Sequence, residues 1–145
     1  MMRLLGGVIA GYVVMAALIF IIFSLAYSVL GVEGAFQKES YAVSQSWIIV
    51  SVVGGLCAAA CGGFVALLIG RDLKTNQFLA LLVLVLGLAL AAPELTRPAE
   101  GPAEPRTTGL SNNEAMRQAK QPQWLVLLNP FIGAAGVIIG GRMHK

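Results

Sequence analysis

Residues 4–30 run without a single charged side chain. At 1.5 Å of rise per residue, ~20 apolar residues already cross the hydrocarbon core of a bilayer. In hydrocarbon the backbone must satisfy its own hydrogen bonds, so a lone apolar run of this length is expected to be a helix. Residues 47–70 and 124–141 are also free of charge, and residues 78–92 are shorter but almost solid Leu, Val and Ala. The pattern predicts four membrane helices, over 4–30, 47–70, 77–93 and 123–141. Together they form one domain spanning 1–145, an all-α integral membrane four-helix bundle. Only 12% of the residues are charged and 57% are hydrophobic, whereas soluble domains carry about 25% charge. A cleaved secretory signal would have an apolar core of roughly 7–15 residues. The first run far exceeds that, and it is expected to stay as an anchor.

Basic residues near helix ends set orientation in a membrane. One set of ends holds Arg3, then Arg71 and Lys74 in the tight turn "RDLKTNQ", then Arg142 and Lys145, with Asp72 as the only acid. The opposite ends hold Lys38, Arg97, Arg106, Arg117 and Lys120, diluted over longer loops that contain six Glu. Both termini are therefore expected in the cytoplasm. The net charge of +3 follows from this topology. No basic cluster points to nucleic acid.

The outer loop 94–122 opens with "APELTRPAEGPAEPRTTG", whose prolines favour an extended path. Ser111 and Glu114 then have capping-box spacing, Ala115, Met116 and Ala119 are good helix formers, and Pro122 marks a stop. A short external helix over 112–120 is expected. Trp47 and Trp124 open the second and fourth helices, where an amphipathic ring suits the headgroup level, and are expected as interfacial anchors.

Between apolar helices in lipid, close backbone approach at small residues drives association. The second helix carries two lanes at a spacing of four: Ser51, Gly55, Ala59 and Gly63, and beside them Gly54, Ala58, Gly62 and Ala66. Gly7 and Gly11 on the first helix, and Gly136 and Gly140 on the fourth, offer matching surfaces. The second helix is expected at the centre. The third, with bulky Leu and Val and the single Gly87, is expected toward lipid.

Asn129 and Pro130 interrupt the last apolar run. Pro130 cannot donate to the Val126 carbonyl and should kink the helix. Asn129 is expected to hydrogen bond to Ser or Tyr on another helix, with a ligand or gating role as the alternative. Cys57 and Cys61 lie one turn apart, poorly placed for a disulfide on one helix and too few for a metal site. They are expected as small packing residues.

None of the four predicted spans contains an ionisable Asp, Glu, Lys, Arg or His, the usual mark of proton or ion coupling. The helix count resembles that of small multidrug exporters and membrane glutathione-transferase-like enzymes, but the charged intramembrane residues of both are missing. Quinone-linked thiol oxidoreductases use Cys-x-x-Cys near the surface, which Cys57 and Cys61 do not match, and haem-carrying anchors need intramembrane His. The chain most resembles small four-helix bacterial inner-membrane proteins of unassigned function, chiefly through "QPQWLVLLNPFIGAAGVIIGGR" at residues 121–142. That resemblance implies topology only; the location expected is the bacterial inner membrane.

No catalytic residue, cofactor or metal is expected. The first functional reading is a non-enzymatic accessory subunit that associates with lipid and with another membrane protein, or with itself, through small-residue faces. The alternative is a channel or facilitator for a small or apolar solute, lined by Asn129, Tyr12 and Ser51. An accessory subunit should leave a small-residue lane outside its own bundle; a facilitator needs a polar cavity within it.

Overall fold

The structure, a computed structural model, describes residues 2–38, 41–96 and 120–143. Its elements are α1 (Met2–Ala35), α2 (Gln45–Gly70), α3 (Leu73–Leu95) and α4 (Gln123–Arg142). All four are long and apolar enough to cross a membrane, so the chain is a multi-pass membrane protein by length and hydropathy. The expected external helix over 112–120 lies outside the described residues apart from Lys120, which forms a β-bridge with Ala42.

Around the bundle the helices run α1, α2, α4, α3. The α2 helix packs broadly on α1 and α4, and α4 packs on α3. By contrast α3 meets α1 and α2 more lightly, and α1 and α4 occupy opposite corners.

Small residues close the seams. A Cβ built on Gly11 would stand 2.7 Å from the Gly62 carbonyl oxygen, and one on Gly62 would stand 2.7 Å from that of Gly11. Gly54 faces Ile22, and Gly7 lies against the Ala66 carbonyl. On the other side of α2, Gly63 rests on the backbone of Val137, Gly136 on Ala59, and Gly140 on the backbone of Ala60. Ala58, Ala59 and Ala66 are fully enclosed. Such close approach lets dispersion act between helices that gain nothing from leaving water.

Two expectations change here. Gly87 does not face lipid: a Cβ there would meet Cβ and Cγ of Pro130 at 2.8 Å. The glycine is the hollow that receives the proline ring, and it ties α3 to α4. Trp47 does not sit at the outside of the bundle, being 8% exposed. Its ring packs 5.8 Å from Phe23 and 6.0 Å, edge-on, from Tyr27. Trp124, at 55% exposed, does face outward.

The two ends of the bundle are built differently. At one end, here the turn end, Arg71 takes a left-handed conformation (φ 55°) and its N–H caps the Leu67 carbonyl at 2.7 Å. Asp72 then caps α3, its Oδ1 accepting from the Lys74 N–H at 3.0 Å, as a short acceptor at N-cap should. At the loop end, Gly31 (φ 62°) breaks the regular part of α1, a conformation glycine adopts without steric cost. Phe36 pairs with Val43, and Ala42 with Lys120, through backbone bonds of 2.8–3.2 Å. Buried Phe36, Tyr41 and Val43 make this short connection a lid on the loop end. The Ser44 side chain starts α2 by accepting from the Trp47 N–H while donating to the Gly34 carbonyl.

Candidate functional site

Halfway up, the four helices part around a cavity of about 330 Å³. On α1 its wall is the stripe Tyr12, Met15, Ile19 and Phe23, spaced to lie along one face of a helix. On α2 it is Ser51, Gly55 and Ala59. Val83, Gly87 and Leu90 contribute from α3, and Val126, Asn129 and Gly133 from α4. The space exists because small residues stand where large ones would fill it. A Cβ on Gly55 would meet nothing within 4 Å. Gly55, expected at a tight seam, is therefore cavity wall. The lane it shares with Gly63 diverges from α4 toward the loop end.

Toward the turn end the cavity narrows, although Tyr12, beyond Met15 on α1, is still 37% exposed. Met15, Ala59 and Val83 are buried at its base. The same core contains fully enclosed Leu79 and Val137.

Three polar side chains face the space, and they come from three helices: Tyr12, Ser51 and Asn129. Ser51 is 6% exposed and its Oγ has no hydrogen-bond partner. A buried hydroxyl normally finds one, since leaving it unpaired costs about 1–3 kcal/mol. Asn129 is half-buried. The expected interhelical bond from Asn129 to Ser or Tyr is not formed among the described residues, because the cavity separates the helices at that level. Pro130 has no N–H to give the Val126 carbonyl, and Val126 also belongs to the wall. Ser51 comes four residues after Trp47 and Asn129 five after Trp124. Both therefore lie about 6–8 Å along their helices from the loop end's tryptophans.

Reading the sequence missed a second polar cluster. Thr75 and Asn76 fall on the first turn of α3 and are 0% and 4% exposed. Asn76 Nδ2 donates to the Val137 carbonyl at 3.0 Å, while Asn76 Oδ1 and Thr75 Oγ1 have no partner. Glycines make room for them: Gly141 faces the Asn76 amide, and Gly7 and Gly70 face Thr75. The available signal was Asp72, a good N-cap that starts the helix before its apolar run begins.

Cys57 and Cys61 are exposed on the outer side of α2, so they are not the packing residues they were expected to be. The lanes beside them already fill both seams. Among the described residues no three His, Cys, Asp or Glu side chains gather as a metal set.

No protein-family model, no curated protein and no solved structure matches the chain. Its classification rests on architecture, namely four packed helices able to span a membrane.

Proposed function

We propose that this chain is a non-enzymatic four-span membrane protein that takes a small, mainly apolar molecule into the cavity between its helices. Tyr12, Ser51 and Asn129 supply the polar contacts. The observation that carries this reading is the buried, unpaired Ser51 hydroxyl in the wall of a 330 Å³ space. Binding sites for small molecules are typically concave and apolar, with a few placed polar groups. Buried Met15, Ala59 and Val83 in the wall on the turn-end side favour a holding site over an open pore. Among the described residues the wall contains no carboxylate, imidazole, amine or thiol, the groups most used in proton transfer and covalent catalysis.

The accessory-subunit reading needs a small-residue lane free for a partner. Both lanes of α2 are engaged within the bundle or at the cavity. The outward residues of α1 include bulky, apolar Ile9, Val13 and Phe20, which suit lipid, beside exposed small residues such as Gly6 and Ala17. The basic residues of the short turn and the termini support an orientation with both termini in the cytoplasm.

Saturable binding of benzyl alcohol to the detergent-purified protein, followed by ligand-observed NMR, tests the cavity. Gly55→Leu should abolish it by filling the space. Unchanged binding in that variant would place the ligand elsewhere and defeat the reading.

A further inference from the structure

We infer that the natural occupant is a neutral, single-chain lipid bearing one hydroxyl or carbonyl group, admitted sideways from the bilayer between α1 and α3. This rests on the cavity reading above and names its ligand class and route. Four observations converge on it.

The first is the open side. The seams α1–α2, α2–α4 and α4–α3 are tight, whereas α3 meets α1 only lightly. Their contact lies near the turn end, where Gly7 touches Thr75 and Gly11 touches Leu79. Farther along α3, the wall residues Leu86 and Leu90 are 39% and 77% exposed. Among the described residues, the cavity therefore opens on the face where lipid lies.

The second is the polarity gradient. Ser51 and Asn129 lie at similar depth toward the loop end, the wall next to them toward the turn end (Met15, Ile19, Val83) is apolar, and the Tyr12 phenol stands beyond it. A bilayer leaflet has the same order, polar head outside and hydrocarbon within. A lipid could slide in without turning over.

The third is charge. Among the described residues the wall carries no ionisable acid or base other than the Tyr12 phenol. An ionised head would lose its hydration and find no counter-ion there, which low-dielectric surroundings penalise heavily. A hydroxyl or carbonyl can instead exchange hydrogen bonds with Ser51 Oγ and the Asn129 amide, which both donate and accept.

The fourth is size. At about 330 Å³ the space is at the low end of the ~300–1,000 Å³ range of ligand pockets. One chain suits it better than two.

The test uses the full chain reconstituted in phosphatidylcholine vesicles with a photoactivatable long-chain alcohol, and crosslinked residues mapped by mass spectrometry. Matched probes carry no head group, a quaternary ammonium or a sulfate. The alcohol should label wall residues of α1 and α3 several-fold more than the other probes do. Ser51→Ala, which keeps the shape, should bring alcohol labelling down to the headless level, a several-fold loss in line with one hydrogen bond. Gly55→Leu should remove labelling of the wall altogether. Equal labelling by the charged probes overturns the inference, as does an undiminished signal in Ser51→Ala or labelling confined to outward residues such as Phe20. Saturable, Gly55→Leu-sensitive benzyl alcohol binding without wall labelling by the long-chain probe would overturn the lipid assignment and leave the cavity reading standing. Loss of both signals would defeat both.

Discussion

Asn76 donates its side-chain amide to the main-chain carbonyl of Val137 at 3.0 Å, joining residues 61 positions apart. The bond stitches the first turn of α3 to α4 at the buried turn end. Thr75 beside it is equally enclosed, yet its hydroxyl has no partner. The two neighbours should thus respond oppositely to losing their polar groups. Asn76→Ala removes a made bond between two helices, and should lower unfolding stability in detergent by about 1 kcal/mol. Thr75→Val replaces an unpaired hydroxyl with a methyl of similar shape, and should be neutral or slightly stabilising. Thermal unfolding of both variants decides the matter, and equal losses would mean that the hydroxyl has a partner after all.

Two glycines on one lane of α2 should also part company. Gly63 lies on the backbone of Val137, so any side chain there must push α4 away. Gly55 opens on the cavity with nothing within 4 Å of a Cβ. Overpacking typically costs about 1–3 kcal/mol, and a rigid backbone neighbour puts Gly63→Leu at the upper end. Folded yield by size-exclusion chromatography should fall sharply for Gly63→Leu and stay near the parent's for Gly55→Leu. Similar yields would contradict the divergence of α2 from α4.

On α3, Gly87 receives the Pro130 ring while Leu81, 56% exposed, points away from the bundle. Gly87→Leu should force α3 off α4 and reduce folded yield. Leu81→Ala should change unfolding stability by less than about 0.5 kcal/mol, as surface substitutions usually do. A silent Gly87→Leu would show that the α3–α4 contact is looser than the structure has it.

Orientation can be read by thiol labelling on a Cys57→Ala, Cys61→Ala background. Both cysteines are exposed on the outer side of α2, so their joint replacement should leave assembly unchanged, and loss of folded protein would argue against that placement. Lys38 at the loop end and Lys74 in the α2–α3 turn are exposed, which makes them better reporters than buried Thr75. With a membrane-impermeant reagent on intact cells, Lys38→Cys should react and Lys74→Cys should not. The reverse pattern would invert the topology.

The four spans were legible because hydrophobic length is a one-dimensional property. A charge-free run such as residues 47–70 needs no knowledge of its neighbours to be expected as a helix. The α3 start was legible only to a capping argument, since Asp72 precedes a polar first turn that hydropathy passes over. The glycine and alanine lanes of α2 were visible for the same reason as the spans, because a spacing of four places residues on one face whatever lies opposite.

What lies opposite was decided only by tertiary structure. Gly55 and Gly63 share a lane and a residue type, yet one borders empty space and the other a backbone, because α2 and α4 diverge between them. Gly87 meets Pro130, and Trp47 turns inward onto Phe23 and Tyr27, for reasons held in the facing helices. Tyr12, Ser51 and Asn129 are far apart in the chain and line one cavity only where three helices leave a gap. Periodicity determines which face a residue occupies; the distance to the next helix depends on side chains of both, and that depends on the whole packed bundle.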